Sequence, residues 1–393
     1  MTEVPLGSIL DHLRVLVAAD SSDPATQVNP SHRAVMHVSH VLEEAEFSVS
    51  TDDLGGGCVN LLAVRGDADV HTGTLFNCHL DTVKVNPNWT RDPFTLAVEG
   101  DGDDTKAFGL GACDIKGAAA CLLAVAEATD QPMAILFTTD EESGKGVCVT
   151  SFLKSWGERW SRVVVAEPTG ARAVLQHRGF ASFEIAFSGT PGHTSRANGA
   201  AGSAVHKAAR WMNAALDLAE PGGVLDGSRF NIGIVNGGVA SNVVASETKV
   251  RFGFRPEPDA DAASLMNERV AALRALLPLD GSAVWTDRFL APPLSSDDAM
   301  ADAVSAWGLE EGPNVDFWTE AALFAAGTDR VYGLPAMVLG PGDIAQAHTA
   351  DEFVYVSQLR ACAIAYELIV RADGVRCENG SGAVSIKGES YVS

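Results

Sequence analysis

Short apolar runs alternate with amphipathic segments along the first part of the chain. The apolar runs predict buried strands at Val59–Val64, Leu75–Cys78, Met133–Thr138 and Val163–Ala166. The amphipathic and Ala-rich patterns predict helices over residues 32–46, Gly117–Ala128 and Val147–Trp156. Strands that alternate with helices in this way are typical of an α/β fold with a mainly parallel sheet.

The pattern changes after residue 173. A strand with alternating exposure is predicted first, and it is followed by a helix, two strands, a second helix and a last strand. These elements are predicted at Ala181–Phe187, Ala200–Leu218, Phe230–Val235, Lys249–Phe254, Ala260–Leu277 and Ala283–Thr286. Their order is that of a small α+β, ferredoxin-like sandwich with one open sheet face. The α/β pattern resumes near Leu290, with further elements at Asp298–Trp307, Ala336–Leu339 and Ser357–Arg371.

This change of pattern predicts two domains, and 393 residues are enough to build them. We predict a discontinuous main domain of residues 1–173 and 289–373, interrupted by an inserted domain of residues 174–288. The segment 374–393 is rich in Gly, Ser and Val and is expected to form a loose tail.

The charge of the chain narrows the classes of partner. The formal net charge is -23, and such a field repels nucleic acid and anionic membranes. No apolar run approaches the roughly 20 residues of a membrane span, and nothing near the N-terminus is typical of a signal peptide. The seven cysteines form no CxxC pair and lie mostly in apolar segments, which indicates reduced core thiols. We therefore expect a cytoplasmic protein that binds neither nucleic acid nor membrane.

A histidine and an acid follow the predicted strand Leu75–Cys78 directly. Residues two apart in a strand point to the same side, so we expect the Asp81 carboxylate to hydrogen-bond the ring nitrogen of His79 that faces away from a metal ion. A carboxylate in that place fixes the tautomer of a ligating histidine. Strand-end residues that only cap the chain are the alternative, because the His-x-Asp motif is short and common.

Acids lie at three further element ends. Asp114 precedes the Ala-rich helix, where it either caps the helix or bridges two cations. Glu141 and Glu142 belong to a run of three acids after a buried strand, and Glu167 follows Val163–Ala166. So much negative charge at the end of an apolar run is costly unless cations neutralise it. A solvated loop that carries a charge run is the alternative.

A second histidine, His348, lies in a loop that begins at Gly340-Pro-Gly342. Each of these residues has an ordinary explanation as a loop or cap residue, but together they lie where open α/β sheets bind ligands, at the carboxyl ends of successive strands. Two imidazoles and several carboxylates form a mixed nitrogen and oxygen ligand set. Such a set suits zinc, with cobalt or manganese as alternatives.

With these motifs in this order, the chain resembles the M20 family of metallopeptidases and deacylases, nearly to residue 373. The resemblance implies two divalent metal ions, zinc or alternatively cobalt, that share Asp114. The ligands that it implies are His79, Asp114 and Glu167 for one ion, and Asp114, Glu142 and His348 for the other. It also implies that Asp81 orients His79 and that Glu141 is the general base. The main domain would then be the catalytic domain.

The resemblance gives the inserted segment, residues 174–288, the part of a lid and dimerisation domain, and it implies a homodimer. His193 would stabilise the oxyanion of a partner subunit's site; a hairpin-turn histidine is the alternative. Arg255 would hold the substrate carboxylate, with a surface salt bridge as the alternative, and Asn242 would contact the same group. Further residues assigned to substrate binding are Arg178 and, as a sensor of the substrate side chain or alternatively a helix cap, Glu320.

Within the family, five stretches resemble the deacetylases of arginine biosynthesis. They are Leu175–Gly179, Arg229–Gly233, Val250–Pro256, Asp316–Ala321 and Gly340–Val354, and the last four are closest to the branch that acts on N-acetylcitrulline. The implied reaction is removal of the N-acetyl group from N-acetyl-L-citrulline or N-acetyl-L-ornithine by metal-activated water. A succinyl-diaminopimelate desuccinylase, a dipeptidase and a catalytically inactive binding homologue are the alternatives.

Overall fold

The computed structural model describes residues 4–22, 28–66, 73–144, 146–156, 159–195, 202–259, 262–327 and 333–379. By their internal contacts the residues form two compact units. Unit 1 comprises Met1–Ala173, Asp302–Glu310 and Leu339–Ser393, and unit 2 comprises Val174–Ala301 and Glu311–Val338. Among the described residues, no helix is both long and apolar enough to cross a bilayer.

The described residues form helices and strands in the following chain order. Up to residue 173 they are α1 (Leu6–Val17), α2 (Arg33–Glu44), β1 (Ser48–Gly55), β2 (Cys58–Arg65), β3 (Thr74–His79), β4 (Ala97–Glu99), β5 (Lys106–Phe108), α3 (Lys116–Ala128), β6 (Met133–Thr138), α4 (Val147–Trp156) and β7 (Arg162–Val165). They continue with β8 (Gln176–His177), β9 (Phe180–Ser188), β10 (Gly192–His193), α5 (Ala204–Asp217), β11 (Asn231–Gly237), β12 (Val243–Val244), β13 (Glu247–Phe254), α6 (Ala262–Ala275), β14 (Ala283–Ala291) and β15 (Leu294–Ser295). The last elements are α7 (Asp298–Trp307), α8 (Ala321–Ala326), β16 (Ala336–Val338), β17 (Phe353–Tyr355) and α9 (Val356–Asn379).

The main sheet of unit 1 is built around β3. This strand lies between β6 and β7 and is parallel to both, while β2 and then β1 extend the sheet beyond β6 in antiparallel pairing. Strands β3 and β6 are buried along their whole length, which explains why their sequences are continuous apolar runs. Because β3, β6 and β7 run in the same direction, the segments that follow them emerge at one edge of the sheet.

Helix α3 lies at the centre of unit 1. Its residues from Lys116 to Ala126 are all buried, and it packs against α1, α2, α9 and β3. Because alanine side chains are short, neighbouring helices can approach α3 closely. Helix α3 has no polar face and is surrounded by apolar neighbours. A smaller antiparallel sheet of β17, β5 and β4 completes the unit.

Unit 2 contains a four-stranded antiparallel sheet in the order β11-β13-β9-β14. Strands β9 and β13 alternate between buried and exposed residues, as expected for a sheet with one covered face. The covered face forms an aromatic core in which Trp211 of α5 lies 4.7 Å from Phe252, between ring centroids. Trp211 also donates its indole N–H to the carbonyl of Leu273 in α6, so both helices belong to this core.

The α/β fold class, with a mainly parallel sheet in unit 1 and an α+β arrangement in unit 2, is confirmed. The observed units differ from the predicted domains after residue 288, because residues 289–301 and 311–338 belong to unit 2. Helix α9 also continues to Asn379, into the segment that we expected to be a loose tail. The rest of that tail, and the predicted helix starts at Ala200 and Ala260, lie outside the described residues.

Candidate metal centre

The predicted strand-end residues lie together in unit 1. His79 is the last residue of β3, Glu141 and Glu142 follow β6, and Glu167 follows β7. Asp114 lies just before α3, so residues from four separate segments meet at the carboxyl edge of the sheet. The loop before β17 adds His348, which has a φ of 62°.

The first group of possible ligands is His79, Asp114 and Glu167, and all three residues are buried. The His79 Nε2 atom lies 3.2 Å from Asp114 Oδ1 and 3.7 Å from Glu167 Oε1. One donor atom from each residue lies within 4.8 Å of the others. An imidazole and two carboxylates at such distances can bind one divalent ion.

The second group is Asp114, Glu142 and His348, with donor atoms again within 4.8 Å of one another. The His348 Nε2 atom lies 3.1 Å from Glu142 Oε1 and 3.4 Å from Asp114 Oδ2. The His348 side chain is 53% exposed, which leaves this group open to solvent. Asp114 uses one oxygen towards each group, so its carboxylate joins the two.

The carboxylates of the two groups shift the pKa values of both histidines. Burial alone would lower the pKa of His79, but the carboxylates of Asp114 and Asp81 raise it well above its ordinary value. Hydrogen bonds to Asp114 and then Glu142 raise the pKa of His348 to about 10. A buried cluster with more carboxylates than imidazoles is stabilised by cations, and its oxygen and nitrogen donors fit zinc, cobalt or manganese.

Glu141 belongs to neither ligand group, but it lies close enough to members of both for their charges to act on its carboxyl group. Burial, and next the charge of Glu167, raise the pKa of the Glu141 carboxyl group well above its ordinary value. A carboxyl group whose affinity for protons is increased in this way is suited to general acid–base chemistry.

The Asp81 oxygen that accepts from His79 differs from the predicted one. The His79 Nδ1–H donates to the backbone carbonyl of Asp81 at 2.9 Å, while the carboxylate oxygen Oδ1 lies 3.5 Å away. The other carboxylate oxygen accepts a hydrogen bond from the backbone N–H of Glu142 at 3.0 Å. Asp81 therefore holds the histidine through its main chain and the acidic loop through its side chain.

Two further residues of this edge were not singled out by the sequence analysis. Asp140, the first of the three consecutive acids, is fully buried and accepts a hydrogen bond from Val147 N at 2.7 Å, where α4 begins. Asp140 is thus a helix cap, whereas Glu142 belongs to the second ligand group. Lys116 is also fully buried, and its Nζ donates to the carbonyl of Ala19 at 2.9 Å. The motif Asp-Ile-Lys was visible in the sequence, but no pattern indicated that the lysine is buried.

His193 and Asn242 lie in unit 2. His193 is exposed and pairs with Val243 in the short β10–β12 sheet, with its Nδ1 2.7 Å from Ser195 Oγ. The backbone carbonyl of Asn242 accepts a hydrogen bond from Thr194 N at 3.3 Å. The two candidate substrate contacts therefore lie on two chain segments that are neighbours in the short β10–β12 pairing.

Arg178, Arg255 and Glu320 also belong to unit 2. Arg178 donates to Asp316 at 2.7 Å and to two backbone carbonyls, so it is held in a network of protein groups. The Arg255 guanidinium lies 4.3 Å from the centroid of the Phe180 ring and lines a cavity of about 330 Å³. Glu320 is 1% exposed, and its side chain makes no cap hydrogen bond to α8. The predicted alternative of a helix-capping acid is therefore wrong for Glu320.

Comparisons with known proteins agree with the predicted family and branch. The chain is 42% identical over 374 residues to the N-acetyl-L-citrulline deacetylase of Xanthomonas campestris pv. campestris, across 92% of this chain and 96% of that one. It is 29% identical over 381 residues to the acetylornithine deacetylase of Proteus mirabilis, across 89% of this chain and 93% of that one.

A solved aminopeptidase, PepT of Bacillus cereus, has the same fold. The TM-score is 0.72 at 18% identity, and the match covers 94% of this chain and 99% of the other. The model of the hydrolase family described as Peptidase family M20/M25/M40 matches residues 75–372. The chain therefore belongs to peptidase family M20/M25/M40.

Proposed function

We propose that the protein removes the acetyl group from an N-acetylated amino acid of arginine biosynthesis, with N-acetyl-L-citrulline as the preferred substrate. Water adds to the acetyl carbonyl, the amide C–N bond breaks, and acetate and the free amine leave. The family shows that the chain is a hydrolase, and the similarity to a named N-acetyl-L-citrulline deacetylase supports the choice of substrate.

The observation that carries this proposal is the pair of ligand groups that share Asp114. Three carboxylates and two imidazoles of unit 1 fit two divalent ions, with His79, Asp114 and Glu167 on one side and Glu142 and His348 on the other. When bound, such ions polarise a carbonyl group and lower the pKa of water. We propose zinc as the native metal, with cobalt as the alternative.

Glu141 is the proposed general base. Its carboxylate takes a proton from the attacking water and passes it to the nitrogen of the departing amine. This role is supported because Glu141 belongs to neither ligand group and yet is close enough to feel the charges of Glu167, Glu142 and Asp114. Asp81 keeps His79 in the tautomer whose Nε2 atom carries no hydrogen, because Nδ1 donates to the Asp81 carbonyl.

Residues of unit 2 are proposed substrate contacts on the strength of the resemblance. Arg255 would pair with the substrate carboxylate, with support from Asn242, and His193 would donate to the oxyanion. Arg178 is a less suitable ligand for substrate, because its guanidinium already donates to Asp316 and to backbone carbonyls. Glu320 stays a proposed sensor of the substrate side chain.

The proposal prefers acetylcitrulline to acetylornithine. The two substrates differ at the tip of the side chain, which is a neutral urea group in the first and a cationic amine in the second. The higher identity to the citrulline enzyme, 42% against 29% for the ornithine enzyme, supports this order. We also propose a cytoplasmic homodimer, in keeping with the reduced cysteines and the implied role of the inserted domain.

A substrate panel tests the proposal. The purified, zinc-loaded protein is assayed for release of the free amine from N-acetyl-L-citrulline, N-acetyl-L-ornithine, N-succinyl-diaminopimelate and a dipeptide. We expect kcat/KM to be highest for acetylcitrulline, by about tenfold or more over acetylornithine. The reason is that the amine charge of acetylornithine, without a partner in the pocket, costs about 1.4 kcal/mol or more, which corresponds to a factor of ten.

Faster cleavage of the succinylated substrate or the dipeptide would replace the proposed substrate class by another of the same family. An absence of turnover on every substrate, in protein shown to contain two metal ions, would favour the binding homologue. Metal analysis of the protein as purified distinguishes zinc from cobalt, and light scattering after gel filtration measures the mass of the assembly.

A further inference from the structure

A buried acid, Glu352, lies four residues after His348 and directly before β17. Its side chain belongs to neither ligand group, and the residue is 1% exposed. Both carboxylate oxygens point into the turn that leads to Asp114 and α3. An acid buried this deeply requires compensating hydrogen bonds.

The compensating donors are backbone N–H groups of that turn. Glu352 Oε2 accepts from Gly111 N at 3.0 Å, and Oε1 accepts from Cys113 N at 2.9 Å and Asp114 N at 3.0 Å. The main-chain carbonyl of Glu352 also accepts from Gly109 N at 3.1 Å. One residue therefore satisfies four donors of the segment 109–114.

The turn has little freedom to find other acceptors. Gly111 has a φ of +79°, and a Cβ atom there would lie 2.7 Å from Thr82 Cγ2 and 2.9 Å from Lys116 Cδ. Buried N–H groups that lose their acceptor destabilise the conformation that buries them. The backbone of Asp114 thus depends on the Glu352 carboxylate for its position.

This contact connects the two chain segments that meet in the second ligand group. Asp114 comes from the turn, and His348 comes from the segment that ends at Glu352. Their side chains lie 3.4 Å apart, between His348 Nε2 and Asp114 Oδ2. If the turn moves relative to this segment, the distance between the two ligands changes with it.

We propose that Glu352 is a positioning residue of the metal centre, which sets the affinity of the Asp114, Glu142 and His348 group for its ion. The inference rests on the proposed function, because it assumes that this group binds a metal. Glu352 acts through its hydrogen bonds to the backbone of Cys113 and Asp114 and through the chain segment that connects it to His348. Residues that orient metal ligands in this way typically change affinity by about 10–100-fold when they are replaced.

The variant Glu352→Gln tests the proposal with little change of shape. An amide has one accepting oxygen, whereas the turn presents donors to both oxygens of the carboxylate, so an amide NH₂ group must face at least one N–H. The matched control is Asp351→Asn, one residue earlier. Asp351 accepts from Thr90 N at 3.0 Å and from the Thr90 hydroxyl, away from the turn.

The metal-free proteins are titrated with Co²⁺. Calorimetry measures the affinity and the stoichiometry, and the visible absorption of the bound ion is recorded during the same titration. Wild type and Asp351→Asn should bind two equivalents with the same spectrum. Glu352→Gln should bind one of the two equivalents with a Kd raised about 10–100-fold, and its spectrum should change as the Asp114, Glu142 and His348 group distorts.

Glu352→Asp, which keeps both oxygens on a shorter side chain, should lie between the two and serves if Glu352→Gln does not fold. A variant that only lowers the unfolding temperature, with unchanged Co²⁺ affinity and spectrum, would overturn the positioning role. Fewer than two equivalents in the wild type would instead overturn the two-metal function itself, and the inference with it.

Discussion

At the scale of single residues, the adjacent acids Glu141 and Glu142 have different environments. Glu142 Oε1 lies 3.1 Å from His348 Nε2, whereas Glu141 belongs to neither ligand group. We expect Glu142→Ala to lose about one metal ion, and Glu141→Ala to keep both while kcat falls by about 10²–10⁴-fold.

His193→Ala, in unit 2, should also keep both ions, and its kcat should fall roughly a hundredfold.

Metal content by mass spectrometry and acetylcitrulline turnover, measured on the same preparations, provide the test. Equal metal loss in the two glutamate variants would mean that both acids are ligands. Turnover near that of the wild type in His193→Ala would remove the oxyanion role from that residue.

The residues that the sequence revealed are those with a local signal. His79 and Glu167 follow apolar runs, and parallel strands bring the ends of such runs to one edge, so their convergence could be predicted. Glu352 has no such signal, because its hydrogen-bond partners are backbone groups about 240 positions earlier in the chain. The Asp81 carbonyl as partner of His79 was also missed, since residue type reports on side chains and not on main-chain acceptors.

At the scale of secondary structure elements, two helical glycines should respond in opposite ways to the same substitution. Gly7, in the first turn of α1, has nothing within 4 Å of the position that a Cβ atom would take, whereas a Cβ at Gly117 in α3 would lie 2.4 Å from the carbonyl oxygen of Ala112. Gly7→Ala should stabilise the protein by up to about 0.5 kcal/mol through helix propensity. Gly117→Ala should destabilise it by about 1–3 kcal/mol, because the preceding turn or Leu359 must move.

Thermal unfolding of the two variants against the wild type measures the difference, with Gly7→Ala as the control for propensity. A rise in the unfolding temperature of both variants would show that the turn before α3 can move at little cost in free energy.

The two glycines also show what the sequence could not predict. Both look alike in a helical pattern, and only the packing distinguishes them. Likewise β1, whose residues are mostly exposed, gave no apolar run and was not predicted.

At the scale of the whole molecule, the buried His177 and the partly buried His37 make stability depend on pH. Burial lowers the pKa of His177 from 6.5 to about 4, and its Nδ1–H donates to the Arg178 carbonyl at 2.8 Å. Burial, and next the neighbouring His12, lower the pKa of His37 to about 4 as well. Below pH 6.5 the unfolded chain therefore binds more protons at these positions than the folded one.

The stability from neutral His177 should be complete above pH 6.5 and should decrease as pH falls towards 4, by roughly 3 kcal/mol in total. Unfolding temperatures of wild type and His177→Gln between pH 7.5 and 4 provide the measurement. The variant should lose less stability than the wild type over this range. Parallel curves for wild type and His177→Gln would contradict this origin of acid sensitivity.

The order of the ligands along the chain has a consequence for biosynthesis. His79, Asp114 and Glu167 all precede residue 174, where unit 2 begins, whereas His348 follows the last residue of that unit, Val338. A ribosome that makes the chain from its N-terminus completes one ligand group before it starts unit 2 and the other only after unit 2 is finished. During synthesis, all ligands of the first group are therefore present on the chain before His348 of the second group has been made.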